Sequence, residues 1–233
     1  MFLEIDELDV SYGETRVINE LSMGCSEDEI LTLLGRNGMG KTTLMNCIMG
    51  LLPVSGGTIR FNGEEIMTLE PHERARRGIT LVPQGKDIFP ELTVAENLQM
   101  GCFCSGGKGG IAREDVFEYF PILEDRISQK GGTLSGGQQQ MLAIARGLMT
   151  DPDLLLLDEP SEGVQPSIVK DLRTILPQIH RDNSIAIMIV EQNIELAFGV
   201  AERGYIIENG RISHEGSVAQ LQEGNLVQEK IGV

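Results

Sequence analysis

The chain has 233 residues, 41% of them hydrophobic and 23% charged, a composition typical of a globular domain with a sizeable core. Its 35 acidic and 19 basic residues give a formal net charge of −16 at pH 7, which argues against nucleic-acid binding through Lys and Arg contacts to phosphate. No run approaches the ~20 apolar residues of a membrane-spanning helix, and the acidic start MFLEIDELDV is unlike a secretory signal. We therefore expect a cytoplasmic protein.

The first part of the chain predicts strands and one helix. Residues 2–34 alternate apolar and polar before the apolar run ILTLL, which favours antiparallel strands that lead into a buried strand. The apolar spacing of residues 41–52 predicts a helix. Residues 56–66 predict a strand with a turn at Asn62 and Gly63.

The remainder of the chain alternates helices with apolar strands. The predicted elements are helices at 93–101, 112–120 and 138–149, a strand at 153–158, a helix from Pro166 and a strand at 184–190. Strands that alternate with helices predict an α/β core with a parallel sheet. The region around 85–130, which contains a glycine-rich loop at 104–110, predicts an inserted helical lobe.

Residues 35–42, GRNGMGKT, lie between the predicted buried strand and the first helix. They fit G-x-x-x-x-G-K-[ST], in which glycines let backbone N–H groups wrap phosphate oxygens. In such a loop Lys41 reaches the β- and γ-phosphates and Thr42 is a ligand for Mg²⁺. The alternative is a chance glycine-rich turn, but the strand before it and the helix after it favour a nucleotide site.

Asp158 and Glu159 follow four leucines in LLLLDEP, at the end of a predicted buried strand. An acidic residue at this place holds the Mg²⁺ shell in P-loop NTPases, a role we assign to Asp158. Glu159 is then placed to act as general base for the attacking water. An isolated Asp-Glu pair is often a solvated loop, but the phosphate loop upstream favours the catalytic interpretation.

A second glycine turn occurs in TLSGGQQQMLAIARGLM at residues 133–149. Small side chains at Ser135, Gly136 and Gly137 leave backbone N–H groups open at a helix start, which also suits an anion. The chain therefore carries two candidate phosphate cradles.

In their order and spacing, GRNGMGKT, LVPQG, LSGGQ and LLLLDEP resemble the motifs of the nucleotide-binding subunit of ATP-binding-cassette (ABC) transporters, over nearly the whole chain. The resemblance implies an α/β fold: a P-loop NTPase core with a mostly parallel sheet, an N-terminal antiparallel β subdomain and an inserted α-helical subdomain. Within one ABC ATPase domain, residues 1–84 and 150–233 would form the RecA-like core with the β subdomain. Residues from about 85 to 149 would form the helical signature subdomain.

The resemblance also implies how the two cradles work together. In this family the signature turn faces ATP held by the phosphate loop of a second subunit, so Ser135 and Gly137 would contact the γ-phosphate across the interface. Gln84 would contact Mg²⁺ together with Thr42 and Asp158, and Tyr12 would stack on adenine, unless Tyr12 only packs. The other nucleotide contacts implied by the motifs are Gly35, Asn37, Gly38, Gly40, Lys41, Thr43, Gly136 and Gln138.

Two positions depart from the commonest family pattern. Gln192 in IVEQN stands where most members have His; its amide can donate to the γ-phosphate but cannot carry a proton. Gln165 stands where many members have Asp, which weakens a contact between subunits. Because Lys41, Asp158 and Glu159 are unchanged, we expect hydrolysis of ATP with Mg²⁺; an ATP-gated clamp that scarcely hydrolyses is the alternative.

Gln192 in VEQN is similar to ATPases of branched-chain amino-acid-type importers, and PQGKDIFPELTVAENL and DEPSEGVQPSI are most similar to the urea and short-amide branch. We therefore expect an ATPase that powers urea or short-amide uptake, with branched-chain amino acids as the alternative. A soluble ABC ATPase that acts on ribosomes or DNA is less favoured, because the chain has one cassette, no heptad run and an acidic charge.

The implied partners are a second ATPase subunit, identical or sibling, two transmembrane permease subunits and, indirectly, a solute-binding protein. The chain would lie peripherally on the cytoplasmic face of the inner membrane. Residues 85–100 would form part of the groove for a short permease helix. Phe89 and Leu92 are candidate apolar contacts there, unless they pack within the lobe.

Overall fold

The computed structural model of the chain describes residues 1–103 and 113–223. In chain order, the elements are β1 (Leu3–Tyr12), β2 (Thr15–Cys25), β3 (Ile30–Leu34), α1 (Lys41–Met49), β4 (Gly56–Phe61), β5 (Glu64–Glu65), α2 (Pro71–Arg76), β6 (Ile79–Val82), α3 (Val94–Cys102), α4 (Arg113–Tyr119), α5 (Pro121–Glu124), α6 (Gly136–Leu148), β7 (Leu154–Asp158), α7 (Pro166–Asn183), β8 (Ala186–Glu191), α8 (Ile194–Val200), β9 (Arg203–Glu208), β10 (Arg211–Ser217) and α9 (Val218–Gln222). No helix in the two described ranges is long and apolar enough to cross a membrane. The glycine-rich loop predicted at 104–110 lies outside them.

Of the five strands that precede α2, all except β3 form an antiparallel sheet, in the order β2-β1-β4-β5. The turn between β4 and β5 is the predicted one: Asn62 and Gly63 both have left-handed backbones, with φ of 51° and 77°, as a tight hairpin turn requires. This confirms the antiparallel N-terminal sheet.

The second sheet has the order β10-β9-β3-β8-β7-β6, parallel throughout except for the antiparallel edge strand β10. The mostly parallel sheet is therefore confirmed. Both faces of strand β7 are buried, which explains why the four residues before Asp158 are all leucines. Leu154 and Leu156 pack in a core with α1 and the antiparallel sheet, whereas Leu155 and Leu157 pack against α6 and α7. A strand covered on both faces has no polar side.

Two helix boundaries differ from the predictions by two residues or more. Helix α1 ends at Met49 because Gly50 adopts a left-handed conformation and caps the helix. Helix α6 begins at Gly136, two residues before the predicted start, because the Ser135 side chain caps it.

Between β6 and β7, the residues that the structure describes form four α-helices, α3 to α6. The helices expected at 93–101 and 112–120 correspond to α3 and α4. The assignment of residues 85–149 to a separate subdomain stays a prediction.

The parallel strands β3, β8 and β7 are neighbours in the second sheet. Parallel strands bring their carboxyl ends to one edge, where ligands bind in open α/β sheets. The phosphate loop follows β3, Glu159 follows β7 and Gln192 follows β8. The topology therefore gathers these three segments at one edge of the sheet.

Candidate active site

The loop between β3 and α1 is shaped by glycine. Gly40 stands at the start of α1 with φ of 102°, and no side chain caps the helix, so the first N–H groups of α1 are available to an anion. Gly35 is enclosed: a Cβ there would lie 2.6 Å from Cγ2 of Ile207. Its N–H donates to the carbonyl of Glu191 at 3.3 Å, which attaches the start of the loop to β8.

A cavity of about 460 Å³ opens beside this loop. It is lined by Tyr12, Val17, Asn37, Gly38, Gly40, Lys41, Thr42, Thr43, Gln84 and Glu159. All of these except Val17 are residues that the sequence predicts to bind ATP or to act on it. Gly35 and Asp158 are not in the lining but support residues that are.

Lys41 and Glu159 form a buried ion pair in this cavity. Lys41 Nζ lies 2.9 Å from Glu159 Oε1, and the two side chains are 3% and 4% exposed. The ammonium also donates to the carbonyls of Gly35 and Arg36, at 2.7 and 3.1 Å. One positive charge is therefore fixed between the loop backbone and the carboxylate that follows β7.

Thr42 and Asp158 meet at the same place. The Thr42 hydroxyl donates to Asp158 Oδ1 at 3.2 Å. Burial raises the pKa of Asp158 to about 6, although the hydrogen bond from Thr42 opposes the increase. A hydroxyl beside a carboxylate is the kind of oxygen donor set that Mg²⁺ takes when phosphates complete its shell.

Glu159 has a left-handed backbone, with φ of 47°, which is uncommon for a residue with a side chain. Its N–H donates to the carbonyl of Val190 at 2.9 Å. Gln192 Nε2 donates to Glu159 Oε2 at 3.4 Å. The structure thus brings the predicted general base, Glu159, and the amide of Gln192 together from the ends of the adjacent strands β7 and β8.

Gln84 and Tyr12 lie at the rim. The Gln84 amide donates to Glu162 Oε2 at 2.9 Å, which links the loop after β6 to the loop after Glu159. Tyr12 ends β1, lines the cavity and is 51% exposed.

Glu191 is a site residue that sequence reasoning missed. Its carboxylate is 1% exposed and accepts hydrogen bonds from backbone N–H groups of Ser161, Gln192 and Asn193, at 2.9 to 3.1 Å. Burial raises its pKa, while these hydrogen bonds oppose the increase. The sequence did contain a signal for this residue, because Glu191 directly follows the six apolar residues 185–190 of a predicted buried strand.

The second cradle is separate from this cavity, since none of residues 135–138 lines it. Ser135 and Gln138 form a capping box, in which the Ser135 N–H donates to Gln138 Oε1 at 3.0 Å and the Gln138 N–H donates to Ser135 Oγ at 3.4 Å. Gly137 packs on α7, where a Cβ would lie 2.5 Å from Ile168 Cγ1. Within one chain, the structure does not bring the two cradles to the same cavity.

An uncapped glycine loop over a helix start, a lysine, a Thr-Asp pair and the carboxylate that follows β7 define a P-loop nucleoside triphosphatase. The antiparallel sheet packed against the mixed sheet is the fold of ABC ATPase cassettes: a crystal structure of the ADP conformation of MJ1267, an ATP-binding cassette of an ABC transporter, superposes with a TM-score of 0.85 and is 28% identical, covering 100% of this chain and 99% of that one.

The model of the ABC transporter family matches residues 18–162, and the chain belongs to that family. It is 41% identical to the high-affinity branched-chain amino acid transport ATP-binding protein BraG of Pseudomonas aeruginosa, over 94% of both chains. It is 35% identical to the lipopolysaccharide export system ATP-binding protein LptB of Escherichia coli, over 91% of this chain and 88% of LptB. The chain is thus an ABC-type ATPase, and ATP is its nucleotide.

Proposed function

We propose that this chain is the ATP-hydrolysing subunit of an importer for branched-chain amino acids. The observation that carries the hydrolytic part is the buried contact between Lys41 and Glu159 beside an uncapped phosphate loop. The likeness to BraG supports the solute class, because BraG is a branched-chain amino acid transport protein and is more similar to this chain than LptB is. The amino acid itself would not touch this subunit.

ATP would bind with its phosphates over the start of α1. The backbone of Asn37, Gly38, Gly40 and Thr43 would surround the phosphates, and the half-exposed ring of Tyr12 would stack on the adenine. Thr42, Asp158 and the amide oxygen of Gln84 are the side-chain groups that would hold Mg²⁺. That ion would neutralise charge on the β- and γ-phosphates when bound.

Hydrolysis would use the carboxylate that follows β7. Glu159 accepts a proton from a water as the water oxygen attacks the γ-phosphorus, and the bond between that phosphorus and the β–γ bridging oxygen breaks. Lys41 has the γ-phosphate as a second anionic partner, and its charge stabilises the transition state. Gln192 orients Glu159 through its amide and can donate to the γ-phosphate, but it takes no proton.

A second ATPase subunit would complete each site. Ser135, Gly136, Gly137 and Gln138 would face the γ-phosphate of ATP held by the partner's phosphate loop. ATP then favours the closed dimer, and hydrolysis removes the group that both subunits contact. The partner is a second copy or a sibling ATPase.

The permease subunits would dock on a different face and hold the chain at the membrane. A cavity of about 790 Å³ is lined by apolar residues that include Leu51, Phe89 and Met100. The Arg146 guanidinium lies over the Phe89 ring, 5.1 Å from its centre. Phe89 thus remains the candidate contact for a permease helix, whereas Leu92 is not in the cavity lining.

Urea or a short amide is the second candidate solute. The segments PQGKDIFP and EGVQPS favour it, because the sequence resemblance to that branch rests on them. The assembled transporter distinguishes the two candidates: leucine, but not urea, should stimulate ATP hydrolysis in the presence of the solute-binding protein. Stimulation by urea alone would reverse the assignment.

The hydrolytic role is tested by single-turnover ATP hydrolysis with the variant Glu159→Gln. We expect a rate at least about 100-fold below wild type, because general-base catalysis contributes 10² to 10⁴. Glu64→Gln is the matched control, since Glu64 lies in β5, is 69% exposed and pairs with Arg77. Equal rates for Glu159→Gln and wild type would favour the ATP-gated clamp.

A further inference from the structure

We propose that Glu191 is a positioning residue that sets the placement of Glu159 relative to Gln192 by holding the loops that carry them. This inference rests on the proposed hydrolytic function and adds a residue to it. Glu191 touches no reacting atom in this assignment. It acts through the backbone of three neighbouring segments.

The carboxylate of Glu191 divides its two oxygens between two loops. Oε1 accepts from the N–H of Ser161 at 2.9 Å, two residues after Glu159. Oε2 accepts from the N–H groups of Gln192 and Asn193, both at 3.1 Å. One side chain thus ties the loop after β7 to the loop after β8.

The backbone of Glu191 reaches a third segment. Its carbonyl accepts the N–H of Gly35, the first residue of the phosphate loop, at 3.3 Å. Glu191, at the end of β8, therefore has hydrogen bonds to three loops: the phosphate loop, the loop after Glu159 and the loop that begins at Gln192.

The cost of burying a carboxylate at this place is the argument for its role. Strand β8 is otherwise apolar and is buried along its whole length. Burying a charge is unfavourable unless hydrogen bonds satisfy it, and here three backbone donors do so. Only an acidic side chain offers acceptors on both oxygens, because an amide replaces one acceptor with an NH₂ donor.

Glu191→Gln should therefore release one of the two loops. An NH₂ group would face a backbone N–H, and two donors do not bond to each other. Release of either loop alters the 3.4 Å contact between Gln192 and Glu159. A displacement of about 1 Å in a catalytic group can lower a rate by about 100-fold.

The experiment compares wild type, Glu191→Gln and the matched control Glu64→Gln in the full chain. We expect kcat for ATP hydrolysis to fall about 100-fold in Glu191→Gln, while the Kd of a fluorescent ATP analogue changes by less than about three-fold. Hydrogen exchange should speed up at the amides of Ser161 or of Gln192 and Asn193. Glu64→Gln should match wild type in all three measurements.

Glu191→Asp keeps the charge but is one methylene shorter, so it should hold one loop and give an intermediate kcat. It also serves if Glu191→Gln does not fold. The inference is overturned if kcat is unchanged, if kcat and nucleotide affinity fall together, or if kcat falls without faster exchange at these amides. Absence of hydrolysis by wild type would instead refute the proposed function, and the exchange result would still decide whether Glu191 holds the loops.

Discussion

The two turns of this chain that suit a phosphate both contain glycines, but they differ in how their N–H groups are used. Each precedes a helix, α1 or α6, and each contains residues small enough for a phosphate to approach. The phosphate loop before α1 has no side-chain cap. The signature turn before α6 has a complete capping box between Ser135 and Gln138.

The two turns also differ in the side chains that surround them. The phosphate loop lines a cavity together with Lys41 and Glu159, whose charges are buried against each other. The signature turn uses the N–H groups of Ser135 and Gln138 in its capping box, and none of residues 135–138 lines that cavity. The chain thus has one site with catalytic groups and one turn without them, which is what a shared site between two subunits requires. The predictions below test this division.

The largest expected effect is on the phosphate-loop side. Lys41→Ala should lower kcat/KM for ATP by about 1000-fold, because it removes a charge that the transition state needs. It should also lower the free energy of unfolding by ~3 kcal/mol, since Glu159 would remain buried without its partner. Steady-state hydrolysis and urea unfolding measure the two effects.

The double variant Lys41→Ala/Glu159→Gln separates the effect on hydrolysis from the effect on the free energy of unfolding. It should regain most of the lost stability, because no unpaired charge remains buried, while hydrolysis stays absent. If Lys41→Ala were as stable as wild type, the assignment of a buried ion pair between Lys41 and Glu159 would be wrong.

Gly136→Ala tests the signature turn without lowering the stability of the chain that carries it. A Cβ at Gly136 would lie 3.4 Å from Lys86 Nζ, an ordinary contact, and replacing glycine in a helix stabilises it by up to about 1 kcal/mol. Hydrolysis should nevertheless fall about 100-fold, because the methyl group would stand in the cradle for the partner's γ-phosphate. The Kd for ATP should stay within about two-fold.

Mixing two inactive variants makes this test sharper. In a dimer of Gly136→Ala with Lys41→Ala, one of the two shared sites has an unaltered phosphate loop and an unaltered signature turn. Hydrolysis by the mixture should therefore exceed the sum of the separate variants. If each chain used its own signature turn, mixing would restore nothing, provided that light scattering shows dimers in both cases.

A third prediction concerns the buried acid beside the phosphate loop. The pKa of Asp158 is raised to about 6, so the folded chain binds this proton more tightly than the unfolded chain and loses stability as pH rises from about 4 to above 6. Asp158→Asn should raise the Tm at pH 7 by roughly 5 °C without Mg²⁺. The difference should shrink as pH falls through 6 to 5; a difference independent of pH would contradict the assignment.

Local patterns in the sequence predicted much of the fold. The glycine loop, the leucines of β7 and the Asn62-Gly63 turn carry their signal within a few residues. Strands β9 and β10 were not predicted, although the Asn209-Gly210 turn that joins them as a hairpin is a local signal; the pairing of β9 with β3 is decided by residues far apart in the chain. The helix α8 is only seven residues long and has too little periodicity to be seen.

The candidate site shows the same limit. The motifs gave Lys41 and Glu159 separately, but not the ion pair between them, because its two residues meet only through the order of β3, β8 and β7. Glu191 was quoted within IVEQN and still missed, since nothing local says that its carboxylate faces inward. The packing of two loops around it determines that orientation.

The smallest predicted effect belongs to the rim of the phosphate-loop site. Tyr12→Ala should weaken ATP binding by about five-fold, because an aromatic stack contributes roughly 1 kcal/mol, while kcat at saturating ATP stays unchanged. Tyr12→Phe keeps the ring and should bind like wild type, which separates stacking from the hydroxyl. Since the signature turn carries no such aromatic group, the loss should follow the variant chain's own nucleotide in a mixed dimer and not its partner's. A loss of affinity at both sites would place Tyr12 at the interface instead.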